Sequence, residues 1–194
     1  MMGLPHHAYR ESLLTAHEAR KLKPNNVILV GLMGSGKTTV GKLLSRQFRW
    51  PFYDTDHELV RRNGVSIPTI FELEGESGFR LREEQVVADL VKHSKIILAT
   101  GGGVVLSPSN RAQLTQHGIV VYLRGTVEEL WQRTRNDVNR PLLQVDDPKA
   151  RLAELHAKRD PLYREIADVL VETGRQPAHV LAQQLGNHLQ CMMR

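Results

Sequence analysis

A three-layer α/β domain, with a parallel β-sheet covered by helices on both faces, is the fold class this sequence predicts, on three observations. Short apolar runs alternate with helix-period segments from Val27 onward. Two of these runs, "VILV" and "IVVYL", lack the polar alternation of a half-exposed strand, as strands buried on both faces do. The first run passes directly into a glycine-rich loop and then a helical pattern, so a strand, a tight turn and a helix follow one another.

Taken in order, residues 1–25 read as a polar, flexible N-terminal extension, set off by Pro24, Asn25 and Asn26. A single domain is expected over residues 26–190. Its strands are "VILV", "PFY", "IILA", "IVVYL" and "DVLV", all short and several rich in β-branched side chains. Between them, Val40, Leu43, Leu44 and Phe48 share one helix face. Phe79, Val86, Val87, Leu90 and Val91 form a second stripe, and Val180, Leu181, Leu185 and Leu189 a third. "RNDVNRPLLQVDDPK", residues 135–149, is polar and turn-rich. It reads as a surface flap closed by Asp147 as a helix N-cap, with Pro148 at the first helical position.

Composition narrows the function. With 194 residues, 41% apolar and 24% charged, the chain has the balance of one globular domain. No apolar run approaches the ~20 residues that span a bilayer. The N-terminus has no apolar signal core, and the single cysteine, Cys191, has no internal partner, so a reducing cytoplasm is expected. The net charge of +5 fits either nucleic acid or an anionic small molecule. No block of five like charges occurs, and two Trp, four Tyr and four Phe are few for base stacking, which favours the small molecule. The nine histidines show no metal-ligand spacing.

The chemistry starts at "GLMGSGKT", which fits G-x-x-x-x-G-K-[ST] with Gly31, Gly36, Lys37 and Thr38. Glycines let successive backbone N–H groups face phosphate oxygens, and the helix beginning near Lys37 adds its positive end. Lys37 reaches the β- and γ-phosphates and Thr38 ligates Mg²⁺. The alternative is a plain glycine turn. The loop alone does not choose among kinase, GTPase and motor.

A second acid for the metal comes from "PFYDTD", since "IILAT" ends in Thr100 and "IVVYL" runs into Arg124. In an extended segment Asp54 and Asp56 face the same way, one toward metal and one toward a substrate hydroxyl. Asp56 is also a candidate helix cap. "GESGFR" breaks around Gly75 and Gly78 and puts Arg80 in a first helical turn, against the macrodipole. That suggests an anionic partner, with ion pairing to Glu76, Glu83 or Glu84 as the alternative. Gly101, Gly102 and Gly103 follow a buried strand, where open α/β sheets bind ligands, unless they form a loose turn. Arg133, Arg135 and Arg140 lie in or beside the flap and Arg159 follows it, placed to cover a nucleotide or to remain solvated.

Six segments in order, "GLMGSGKTTVG", "FYDTD", "FELEGESGFRLREE", "ATGGGVV", "NRPLL" and "KRDPLYREIADV", resemble the shikimate kinase family. The resemblance runs from Val27 to about Leu189. It implies a P-loop, nucleoside-monophosphate-kinase-like fold with sheet order 2-3-1-4-5 and a mobile lid over residues 135–149. It implies phosphorylation of the 3-hydroxyl of shikimate by MgATP, on the route to chorismate and the aromatic amino acids. It implies that Gly34, Ser35, Gly36, Lys37, Thr38 and Thr39 hold the ATP phosphates, and that Thr38 and Asp54 serve one Mg²⁺. Asp56 is then the hydroxyl-binding candidate base, Arg80 and Arg159 grip the carboxylate, and Gly101–Gly103 border the ring. Arg140 is the lid arginine, and Arg133 and Gln176 neighbour adenine. Lys37, Asp56 and Arg140 are the implied catalytic set. A monomer acting without nucleic acid or membrane is expected. Kinases of other small alcohols such as gluconate, a non-catalytic P-loop regulatory domain and a nucleic-acid-dependent ATPase remain alternatives.

Overall fold

The computed structural model of the protein describes residues 26–137, 141–174 and 176–193. The expected extension over residues 1–25 and the expected lid arginine, Arg140, lie outside the described residues.

Five strands form one wholly parallel sheet: β1 (Val27–Val30), β2 (Phe52–Asp54), β3 (Ile97–Ala99), β4 (Ile119–Arg124) and β5 (Val169–Glu172). Their order is β2-β3-β1-β4-β5, the order the family resemblance implies. Parallel neighbours require crossovers, supplied here by helices. These are α1 (Lys37–Phe48), α2 (Thr55–Asn63), α3 (Ile67–Leu90), α4 (Pro108–His117), α5 (Val127–Thr134), α6 (Pro148–Ile166) and α7 (Ala178–Met192).

The period of two along each strand divides the core into two layers. Val27 and Leu29 of β1, with Ile97, Val121 and Leu123, pack on Val40 and Leu44 of α1 and on Leu181, Leu185 and Leu189 of α7. Ile28 and Val30, with Leu98, Val120 and Tyr122, pack on the other face against Phe79, Val86, Val87 and Leu90 of α3, Leu114 of α4 and Leu152 and Leu155 of α6. All three helical stripes read from the sequence are found, with Leu43, Phe48 and Val180 only half-buried at their edges.

Local chemistry sets the helix ends. Asp147 caps α6 by accepting from the Ala150 N–H at 3.0 Å, with Pro148 at the first position, as the sequence predicts. α3 bends at Gly75 (φ 68°, ψ −174°), a backbone geometry open to glycine, while Gly78 is helical. Arg80 therefore falls just beyond the first turn of the second half of α3. The preceding half, capped by Ser66, and helices α4 and α5 have weaker signals that the apolar runs did not reveal. β5, at the sheet edge, also ends in an acid, Glu172, which is spent on Arg124 at 2.8 Å rather than on a site.

All the strands run the same way, so the loop after β1, the end of β2 and the glycines after β3 emerge at one edge. The Thr100 N–H and hydroxyl both donate to the Leu29 carbonyl (3.1 and 3.0 Å), which draws the two glycine loops together. Leu98 is fully buried on β3, between β2 and β1. Leu98→Ala is expected to lower the unfolding free energy by about 2–5 kcal/mol, read from urea denaturation.

Candidate active site

The phosphate loop is shaped to receive an anion. Gly36 (φ 90°) caps α1 without a side-chain hydrogen bond, and no acid occupies the first turn. In contrast, α2, α4, α5 and α6 all begin on a side chain that accepts from their own N–H groups. The first amides of α1 are thus left for a ligand. Lys37 folds back over the loop, its Nζ donating to the carbonyls of Gly31 (2.8 Å) and Leu32 (2.9 Å) and to Ser35 Oγ (3.4 Å). Ser35 itself is buried. Arg133, on α5, donates to the Gly34 carbonyl at 3.1 Å. Gly34, Gly36, Lys37, Thr38, Thr39, Asp54, Asp56, Gly102 and Arg133 border one open cavity.

Asp54 and Asp56 meet this cavity by a route different from the expected one. Both were expected on an extended segment, but the chain turns into α2 at Thr55. It turns because Asp54 is the cap: its Oδ1 accepts from the Asp56 N–H at 3.1 Å. The capping alternative thus falls on Asp54 rather than Asp56. The other oxygen, Oδ2, accepts from the Thr38 hydroxyl at 2.8 Å. A hydroxyl and a carboxylate this close, beside a phosphate loop, form a hard-oxygen pair of the kind Mg²⁺ shares with phosphates and water. Among the described residues, no group of three His, Cys, Asp or Glu side chains is placed to hold a metal.

Asp56 also borders a second cavity, with Arg80, Glu83, Gly101–Gly103 and Arg159, walled by Phe71 and Phe79. The two cavities therefore share Met33, Asp56 and Gly102. Arg159 is 2% exposed, its Nη1 donates to the Gly102 carbonyl at 3.1 Å, and its Nε has no hydrogen-bond partner. Burial works against its charge, but an arginine stays protonated. The hydroxyl of buried Tyr163 donates to the same carbonyl, and burial keeps that phenol protonated. Arg80 pairs with Glu83 (2.7 Å) and Glu76 (3.0 Å), so the ion-pair alternative holds while its guanidinium also faces the cavity. The glycine run is no loose turn. A methyl on Gly103 would run into the Arg80 guanidinium, and one on Gly102 would stand 3.3 Å from the Met33 N–H nitrogen.

Of the sequence-derived site residues it describes, the structure brings all to the two cavities except Ser35, buried within the phosphate loop, Arg135, which is exposed, and Gln176, which donates to Gln184 at 3.1 Å. Tyr163 and Thr55, whose Oγ1 accepts from the Gly101 N–H at 2.8 Å, had no assigned role, and Glu83 stood only as a candidate partner of Arg80. The Arg80-x-x-Glu83 spacing announces a helical pair, but nothing in it announces burial.

A model of the family described as shikimate kinase matches residues 33–190. The chain belongs to the shikimate kinase family. A shikimate kinase of Nitrosospira multiformis is 58% identical over 164 residues, covering 84% of each chain. One of Thiobacillus denitrificans is 61% identical over 154 residues, covering 79% of this chain and 84% of the relative. The solved shikimate kinase of Acinetobacter baumannii in complex with shikimate superposes with a TM-score of 0.84 at 48% identity, covering 90% of this chain and 97% of that one.

The contact at Gly103 generates a test. Gly103→Ala is expected to displace Arg80 and weaken small-anion binding in the cavity lined by Arg80 and Arg159 by about tenfold, or ~1.4 kcal/mol, while nucleotide affinity holds, both read by calorimetry.

Proposed function

We propose that this protein transfers the γ-phosphoryl group of ATP to the 3-hydroxyl of shikimate, giving shikimate 3-phosphate and ADP, a step toward chorismate and the aromatic amino acids. The observation that carries this reading is the buried Arg159, with an unpartnered Nε, sharing a cavity with Arg80 and Asp56. A buried guanidinium with spare donors calls for a planar anion, and a carboxylate supplies it in bidentate form. A hydroxyl on the same small ring then falls to Asp56, on the border with the phosphate cavity.

The residues divide the work. The amides of Gly34–Thr39 cradle the phosphates, and Lys37 exchanges loop carbonyls for phosphate oxygens. Thr38 and Asp54 would hold one Mg²⁺, which when bound neutralises charge on the β- and γ-phosphates. Asp56 orients the hydroxyl and accepts its proton as the oxygen bonds to the γ-phosphorus and the bond to the β–γ bridging oxygen breaks. Arg80 and Arg159 hold the carboxylate, and Gly101–Gly103 admit the ring. Arg140 would add charge stabilisation from a lid over residues 135–149 that excludes water. Arg133 lies toward adenine, where Gln176 joins it only by leaving Gln184. The catalytic domain would span residues 26–190 behind an N-terminal extension, acting as a cytoplasmic monomer without nucleic acid. Among the described residues no helix is long and apolar enough to cross a membrane.

ADP release by the purified protein with MgATP decides the matter, with shikimate, gluconate, single-stranded DNA or nothing added. Turnover confined to shikimate is expected. Turnover with another acceptor only would keep the phosphate loop and remove the roles given to Asp56, Arg80 and Arg159. Asp56→Asn is expected to lose about 10²–10⁴ in kcat while still binding ATP. Lys37→Met is expected to lose about 10²–10³ in kcat with an unchanged fold by circular dichroism.

A further inference from the structure

Glu83 is a carboxyl group with no role in the transfer described above, yet it stands inside the substrate cavity. It is 1% exposed. Its Oε2 accepts from Arg80 Nη1 at 2.7 Å, and its Oε1 is buried without a hydrogen-bond partner. A methyl built on Gly101 would stand 2.7 Å from Glu83 Oε1 and 2.7 Å from Asp56 Oδ1, so these two carboxylate oxygens lie within about 5.4 Å of each other. The charged and titratable groups facing Glu83 are Arg80 and Glu76 on its own helix, Asp56 from α2, and Arg159 and Tyr163 from α6. The loop after β3 contributes only glycine backbone there.

A carboxylate in this position depends on Arg80. Burial pushes the Glu83 carboxyl up to about 7, against the pull of Arg80 and Arg159 and with a push from Asp56. A substrate carboxylate arriving at Arg80 and Arg159 adds a negative charge to the same guanidinium groups and expels the water around them. Both changes disfavour an ionised Glu83. We infer that binding of shikimate to this protein is coupled to the uptake of one proton by Glu83. The uptake removes the like charge beside Asp56, which keeps Asp56 ionised and able to accept the hydroxyl proton. The buried Oε1 then belongs to a neutral acid, the form least penalised by burial. This inference rests on shikimate being the substrate.

The sign follows from linkage. Below about pH 7 Glu83 is already protonated in the free protein, and no proton is taken up. Above it, the free protein is ionised and the complex is not, so affinity falls as pH rises. The substrate's own carboxyl, with an ordinary value of about 4, stays ionised throughout.

The test is calorimetric titration of the full chain with shikimate, without nucleotide, at pH 8 in phosphate, HEPES and Tris, whose ionisation enthalpies differ. The observed heat is expected to vary linearly with buffer ionisation enthalpy, with a slope near one proton taken up. The dissociation constant is expected to rise up to about tenfold per pH unit above neutrality. In Glu83→Gln, an isosteric neutral mimic, both effects should vanish, while Glu76→Gln should retain them. Tight binding with no buffer dependence in the wild-type protein overturns the inference and leaves the kinase reading intact. An undiminished slope in Glu83→Gln places the proton elsewhere and also overturns it. If Glu83→Gln does not fold, the wild-type slope still decides whether a proton is taken up, and an unchanged slope in a Glu83→Asp variant with an altered midpoint assigns it. Absence of both shikimate binding and shikimate-dependent ADP release defeats the proposed substrate instead.

Discussion

A guanidinium buried to 2% exposure is the constraint around which this molecule is arranged. Taking the Arg159 charge out of water is costly, and the protein meets that cost only in part. The Gly102 carbonyl accepts from Arg159 and from Tyr163 together, which ties α6 to the loop after β3. Tyr163 stacks on Tyr122 with ring centres 4.9 Å apart, and the Tyr122 hydroxyl donates to Asp160 at 2.8 Å. Asp160 in turn binds Arg124 and Arg164. The residue after Arg159 is thereby locked to β4, and the backbone that carries the buried charge cannot drift. What remains unsatisfied is the buried Nε of Arg159, on a residue that lines the cavity with Arg80 and Asp56.

The same economy governs the acids. Asp54 divides its two oxygens between capping α2 and accepting from Thr38, so one side chain sets the start of a helix and one wall of the phosphate cavity. Asp56, two residues on, is carried by that helix into the border between the cavities. Glu83 holds Arg80 from behind. The cavity thus contains two arginines and two carboxyl groups in close succession. Adding or removing one charge there shifts the ionisation of the rest, which makes ligand charge and protonation inseparable.

Glycine has different uses in the two loops. In the phosphate loop, Gly36 has open space where a side chain would stand, and its left-handed backbone turns the first amides of α1 outward. After β3, the glycines are defined by what surrounds them: Asp56 and Glu83 at Gly101, the phosphate loop at Gly102 and Arg80 at Gly103. The first use is conformational and the second steric. Only the first follows from a motif whose physical logic is contained in its own residues.

Much of this was legible in the chain. The five runs, the phosphate loop, the Asp147 cap and the helical stripes follow from short-range rules of periodicity, capping and backbone freedom, and these act within a few residues. The sequence by itself therefore determined a parallel α/β fold, a phosphate site and, through six ordered segments, the family. It misjudged the path at Asp56, because which of two nearby aspartates caps a helix depends on the strand register that delivers them. It left Glu83 as one of three candidate partners for Arg80, because spacing announces a pair but not its depth. Only the tertiary structure decided that Arg159 is buried with a spare donor, and that Glu83 and Asp56 converge on Gly101 across three chain segments. Burial and like-charge proximity are properties of packed neighbours, and these residues become neighbours only when the sheet brings its strand ends to one edge.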